Sequence, residues 1–102
     1  MNTEELRTVA ATYGTPTYIF DAREVEARIR MLRSILPEET GLCFAVKANP
    51  FLIPYVADMV DRLEVCSPGE YEICIQADIA PEKIVVSGVN KTYESMKRIL
   101  AY

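Results

Sequence analysis

Lys47 is the side chain in this 102-residue chain best placed by its neighbours to do covalent chemistry. It closes an apolar run, Leu42-Cys43-Phe44-Ala45-Val46-Lys47. A primary amine attacks a carbonyl once it is partly desolvated or set beside another cation. If the run is a strand, alternation puts Cys43, Ala45 and Lys47 on one face and Phe44 and Val46 on the other. The lysine then shares its side with two small residues, and the bulkier side suits packing under helices. The carboxyl end of a parallel strand is where α/β barrels carry their functional groups. A lysine that merely ends a strand, with its stem on apolar surface and its ammonium in water, fits the same spacing.

Glu64 and Cys66 share one face of a second run, Leu63-Glu64-Val65-Cys66. A carboxylate among apolar neighbours needs a partner, and Lys47 on a neighbouring strand is one candidate; a glutamate at the bottom rim, facing solvent, fits the same spacing. Ser87 and Gly88 end a third run and could line a ligand pocket or simply form a tight turn that needs glycine's backbone freedom. Asn49 can hold the loop beyond Lys47 through side-chain bonds to backbone. Ser67 reads as a helix cap and Cys66 as a core residue. The chain has no histidine, so no imidazole here can serve as base or ligand. The spacing of Cys43, Cys66 and Cys74 matches no zinc pattern, and no metal site is expected.

These residues need elements to hold them. Leu6, Val9, Ala10 and Tyr13 recur at helical spacing, and Gly14 and Pro16 stop that helix. Thr17-Tyr18-Ile19-Phe20 is β-branched and aromatic and reads as a first strand, with Tyr18 and Phe20 packing inward. Asp21 and Glu24 form a capping box for a helix reaching about Leu36. Val25, Ile29, Leu32 and Leu36 are its buried stripe, and Glu24–Arg28 and Glu26–Arg30 are pairs on its wet side. Strands follow at 42–47, 63–66 and 83–87. Helices are expected at about 52–61, from Pro68 to about Ala77, and from Tyr93 to beyond Tyr102. Ser67-Pro68-Gly69-Glu70 is the strongest local signal: a capping serine, a first-turn proline and a glutamate that closes the box.

Four short strands alternating with helices predict an α/β fold with a parallel sheet. The absence of any Gly-x-Gly-x-x-Gly after a strand and the short, even units favour part of a barrel over a doubly wound sheet. A closed (β/α)8 barrel needs about 250 residues, so the expectation is an N-terminal portion of one. Such a piece, with open edges, is expected to associate or to be marginally stable alone. The net charge is −4, and the one arginine cluster (Arg23, Arg28, Arg30, Arg33) is interleaved with Glu24 and Glu26. Nucleic acid is therefore not an expected partner. No apolar run is long enough for a bilayer, and the start lacks the pattern of a secretory signal. Reduced cysteines suit a cytoplasmic setting.

Phe44-Ala45-Val46-Lys47-Ala48-Asn49-Pro50 resembles the cofactor-lysine motif of the pyridoxal-phosphate-dependent decarboxylases with an alanine-racemase-like barrel. That family includes the diaminopimelate, ornithine and arginine decarboxylases. Residues 13–21 resemble the barrel entry of the bacterial diaminopimelate enzymes, Ser67-Pro68-Gly69-Glu70 their Ser-x-Gly-Glu helix start, and residues 81–92 the segment after their third barrel helix. The resemblance implies that residues 1–102 are the N-terminal portion of a pyridoxal-phosphate-binding (β/α)8 barrel domain, inactive alone. It implies that Lys47 carries the cofactor covalently and that Ala45 lies beneath or beside its ring. Glu64 would stand where the family more often has aspartate, Ser87 and Gly88 would line the lumen, and Asn49 would order the loop. It further implies a longer, homodimeric, cytoplasmic enzyme with a β-rich second domain and an amino-acid substrate. The favoured reaction is decarboxylation of meso-diaminopimelate to lysine; an amino-acid racemase or a noncatalytic cofactor-binding protein are the alternatives. The phosphate loop, the pyridine-nitrogen carboxylate and a ring-stacking histidine would lie downstream.

Overall fold

A computed structural model describes residues 1–102. The chain forms α1 (Thr3–Tyr13), α2 (Ala22–Ile35), β1 (Cys43–Ala45), α3 (Ile53–Val56), β2 (Arg62–Val65), α4 (Pro68–Gln76), β3 (Ile84–Val86) and α5 (Tyr93–Leu100). The three strands make one parallel sheet in the order β1-β2-β3. This is the α/β alternation expected, with three strands in place of four.

The missing strand is 17–20, which adopts no regular structure. Its β-forming residues find no partner strand, and β propensity expresses itself only through pairing and packing. Tyr18 is 94% exposed and Phe20 is also exposed, so neither packs inward as expected. The α1 helix before it buries no residue. It is held locally by a reciprocal cap, in which Asn2 accepts from the Glu5 amide and the Glu5 carboxylate accepts from the Asn2 amide. This arm lengthens the molecule: the radius of gyration is 16.5 Å, against about 13 Å for a compact chain of this size.

The core lies between the sheet and the helices. Val46, Ile53, Val56, Leu63, Val65, Tyr71 and Cys74 are buried, and Val25, Ile29, Phe44, Ile84 and Val86 pack against them. The predicted stripe of α2 therefore faces the core through Val25 and Ile29. The cap of α2 differs from expectation. Asp21 accepts from the Arg23 amide and pairs with the Arg23 guanidinium at 2.7 Å, and Glu24 closes no box. For the Asp21 side chain, the cation two residues on is a stronger partner than the neutral Glu24 amide three residues on. Of the two helical ion pairs, Glu26–Arg30 forms and Glu24–Arg28 does not.

The α4 start is as read, with one change. Ser67 accepts from the Glu70 amide at 3.2 Å, but the Glu70 carboxylate reaches the Cys66 amide, one residue further back. Asp78, at φ +52, ends this helix in a left-handed turn. The expected helix over 52–61 is a short 3-10 turn, 50–52, followed by the single turn of α3. The last helix stops at Leu100 and is tied to α4: Tyr71 donates to the Ile99 carbonyl at 3.3 Å and packs edge-on against Tyr102.

Candidate functional site

The sheet has two unlike faces. Phe44, Leu63, Val65, Ile84 and Val86 point into the helix-covered core. The opposite face carries no helix and presents Ala45, Glu64 and Val85, which the register sets side by side. Val85 is 41% exposed, although it sits in the middle of the third strand.

One step beyond that row lie Cys66 and Ser87, level with each other past the paired Val65 and Val86. The Ser87 hydroxyl donates to Glu64 Oε1 at 2.6 Å, and Cys66 Sγ lies 3.3 Å from the same hydroxyl oxygen. A serine hydroxyl has one proton to give. The carboxylate takes it, so the thiol donates to Ser87 and the chain of bonds runs Cys66 to Ser87 to Glu64. Cys66 is thus a member of a polar cluster on the open face and not the core residue expected; Cys74 fills the core instead. The Cys43 thiol, on the same face, is pushed up, first by partial desolvation and then by the Glu64 charge.

Lys47 does not sit on a strand. The strand stops at Ala45, and Val46–Ala48 form a 3-10 turn closed by the Asn49 amide on the Val46 carbonyl at 3.1 Å. Val46 is fully buried by this turn and Lys47 is exposed. Lys47 is therefore outside the buried core. The candidate ion pair between Lys47 and Glu64 is not formed; Glu64 turns to β3 and Ser87. A hydroxyl one row up on the neighbouring strand satisfies the carboxylate without burying an ammonium. Asn49 caps the next turn by accepting from the Phe51 amide at 3.1 Å, so the backbone on both sides of Lys47 is pinned.

Gly88 has φ +81. A Cβ there would lie 2.8 Å from the Cys66 carbonyl oxygen and 3.2 Å from its Cα. Backbone conformation and close approach to β2 together account for the glycine.

Sequence reading missed the other end of the sheet. Asp61 Oδ2 accepts from the Leu42 amide at 2.6 Å and from Arg33 at 3.0 Å, and Arg33 also reaches the Met59 carbonyl. The backbone bond and then the guanidinium hold the Asp61 carboxyl below the usual range. Lys83 reaches forward to the carbonyls of Ala57 and Val60 at the end of the α3 region. Nothing local signals these contacts, which join residues nineteen to twenty-eight positions apart. The largest cavity, about 770 Å³, is an apolar groove between α2 and β1, away from the Glu64–Ser87 cluster.

The donor set suits an aldehyde cofactor at one end. A primary amine free of any carboxylate partner stands past the end of β1, after the small Ala45, and only an amine that can lose its proton condenses with a carbonyl.

Residues 22–102 match the family described as "Pyridoxal-dependent decarboxylase, pyridoxal binding domain". The chain is 39% identical over 98 residues to a diaminopimelate decarboxylase of Pseudomonas fluorescens, covering 93% of this chain and 24% of the relative. It is 40% identical over 96 residues to one from Actinosynnema pretiosum (92% and 22%) and 33% identical over 93 residues to one from Aquifex aeolicus (89% and 22%). It thus spans less than a quarter of the length of these relatives. An open sheet face with a free lysine amine at its rim, and a match running from the first residue of α2 through Tyr102, lead to one assignment: the chain belongs to the pyridoxal-binding domain family of the pyridoxal-dependent decarboxylases.

Proposed function

We propose that this chain is the N-terminal part of a (β/α)8 barrel of the alanine-racemase-like type and supplies the cofactor lysine of a pyridoxal-phosphate-dependent decarboxylase. The substrate is a basic or diamino acid, in first place meso-diaminopimelate, with lysine as product. The full-length protein acts as a cytoplasmic homodimer. The carrying observation is the exposed Lys47 amine, held past the end of β1 by the Val46–Ala48 turn and by the Asn49 cap. The diaminopimelate decarboxylases matched above support the substrate.

Bound pyridoxal phosphate supplies a conjugated ring that accepts the electrons released when the substrate's carboxyl bond breaks. Lys47 offers the amine that anchors the aldehyde between turnovers. Ala45, small and on the open face, would lie beneath or beside the cofactor ring. Glu64, held by Ser87, sets a negative charge on that face near the amine. Ser87 and Gly88 line the same wall, and Asn49 keeps the loop after the lysine from moving.

The test is borohydride trapping in the full-length protein loaded with pyridoxal phosphate. The cofactor is expected on the peptide containing Lys47, and Lys47→Ala is expected to abolish both the trapped adduct and carbon dioxide release from meso-diaminopimelate. Attachment at another lysine overturns the role of Lys47. Inversion of an amino acid without gas release replaces decarboxylase by racemase, and cofactor uptake without any turnover leaves a noncatalytic binding protein.

A further inference from the structure

We infer that Ser87 is a positioning residue: its hydroxyl holds the Glu64 carboxylate toward β3 and so keeps it off Lys47, leaving the amine free to react. This rests on the proposed role of Lys47 as the cofactor lysine.

The geometry carries the inference in three steps. Glu64 is in register with Ala45, and Lys47 follows two residues later in the Val46–Ala48 turn. A glutamate side chain leaning that way would come within reach of the ammonium. The carboxylate leans the other way, to Ser87 Oγ at 2.6 Å. Cys66 Sγ, 3.3 Å from that oxygen, fills a further site on the hydroxyl and leaves its proton aimed at Glu64. The remaining charged or titratable groups near Glu64 are Arg62 on its own strand and Cys43 on β1, while β3 contributes only Val85 and Ser87 to this face. Neither Arg62 nor Cys43 forms a hydrogen bond or ion pair with Glu64, so the serine alone sets its direction.

Without the hydroxyl, Glu64 loses its donor and is free to swing toward β1 and the Lys47 ammonium. An opposite charge within about 4–6 Å favours the protonated amine by one or more pH units, which removes roughly tenfold or more of the reactive form near neutrality.

The experiment is trace acylation of the full-length protein with acetic anhydride at neutral pH, read by peptide mapping as the rate at Lys47 relative to the exposed Lys91 and Lys97. Ser87→Ala is expected to slow Lys47 by roughly tenfold. Ser87→Thr, which keeps a hydroxyl, is expected to restore the rate. Adding Glu64→Gln to Ser87→Ala is also expected to restore it, which a mere loosening of the turn would not do. An unchanged Lys47 rate in Ser87→Ala, or a slowing that survives Glu64→Gln, overturns the inference. Because acylation needs no cofactor, its outcome is independent of borohydride trapping, and failure of the cofactor assignment shows separately as an adduct on another lysine.

Discussion

Gly88 lies against the backbone of Cys66 so closely that a single added carbon would stand 2.8 Å from the Cys66 carbonyl oxygen. The turn after β3 and the end of β2 therefore meet backbone to backbone, and that contact sets the height at which Ser87 meets Glu64. Gly88→Ala must pay for a positive φ and push a carbonyl aside. The expected loss is about 2 kcal/mol, read as a lower urea midpoint of the full-length protein. The displaced turn should also weaken cofactor binding; an unaltered midpoint would contradict the close approach.

Leu63 is fully buried at the centre of the middle strand. Leu63→Ala removes its packing against the helix layer and leaves a cavity, an expected cost of about 3 kcal/mol. Denaturant unfolding of the two proteins side by side checks this. Val85→Ala, on the open face, is expected to cost clearly less.

Acid should loosen the two ends of α2. Asp21, paired mainly with the Arg23 side chain, is lowered to about 2, and Asp61 is lowered by the Leu42 amide and Arg33. A carboxyl that is more acidic folded than unfolded contributes its stability above its unfolded value, near 3.9, and loses it as pH falls through the folded value. For Asp21 the window thus runs from about pH 4 down to about pH 2. Asp21→Asn and Asp61→Asn should each flatten the fall in thermal midpoint across that range. Identical acid profiles for the parent and both variants would remove these carboxylates from the account.

The isolated 102-residue chain is expected to associate. β1 and β3 each have one unpaired edge, the face carrying Ala45 and Val85 has no covering layer, and Tyr18, Phe20, Phe51 and Tyr55 are exposed. Open edges and exposed apolar surface recruit other chains. Sedimentation should find species larger than a monomer, and a stable monomer with a radius of gyration near 16.5 Å would refute the expectation.

Short-range rules made several features legible in the residues themselves. Ser67, Pro68 and Glu70 announce α4 because a cap needs only a side chain and an amide three positions away. Val25 and Ile29 announce the buried side of α2 through helical spacing. Strand alternation separated Ala45 from Phe44, whereas the strand expected to run to Lys47 stops at Ala45 and gives way to a turn. Tertiary structure decided the remainder, because it depends on what lies across the sheet. Thr17–Phe20 has the composition of a strand and no neighbour to pair with. Glu64 and Ser87 meet only because parallel register brings β2 and β3 to one level, and Asp61 and Arg33 only because α2 packs beside the start of β2. Whether Glu64 would choose Lys47 or Ser87 could not be read along the chain: each stands two residues past a register partner of Glu64, and the choice falls to Ser87 because β1 leaves the sheet at Ala45 and carries Lys47 into a 3-10 turn.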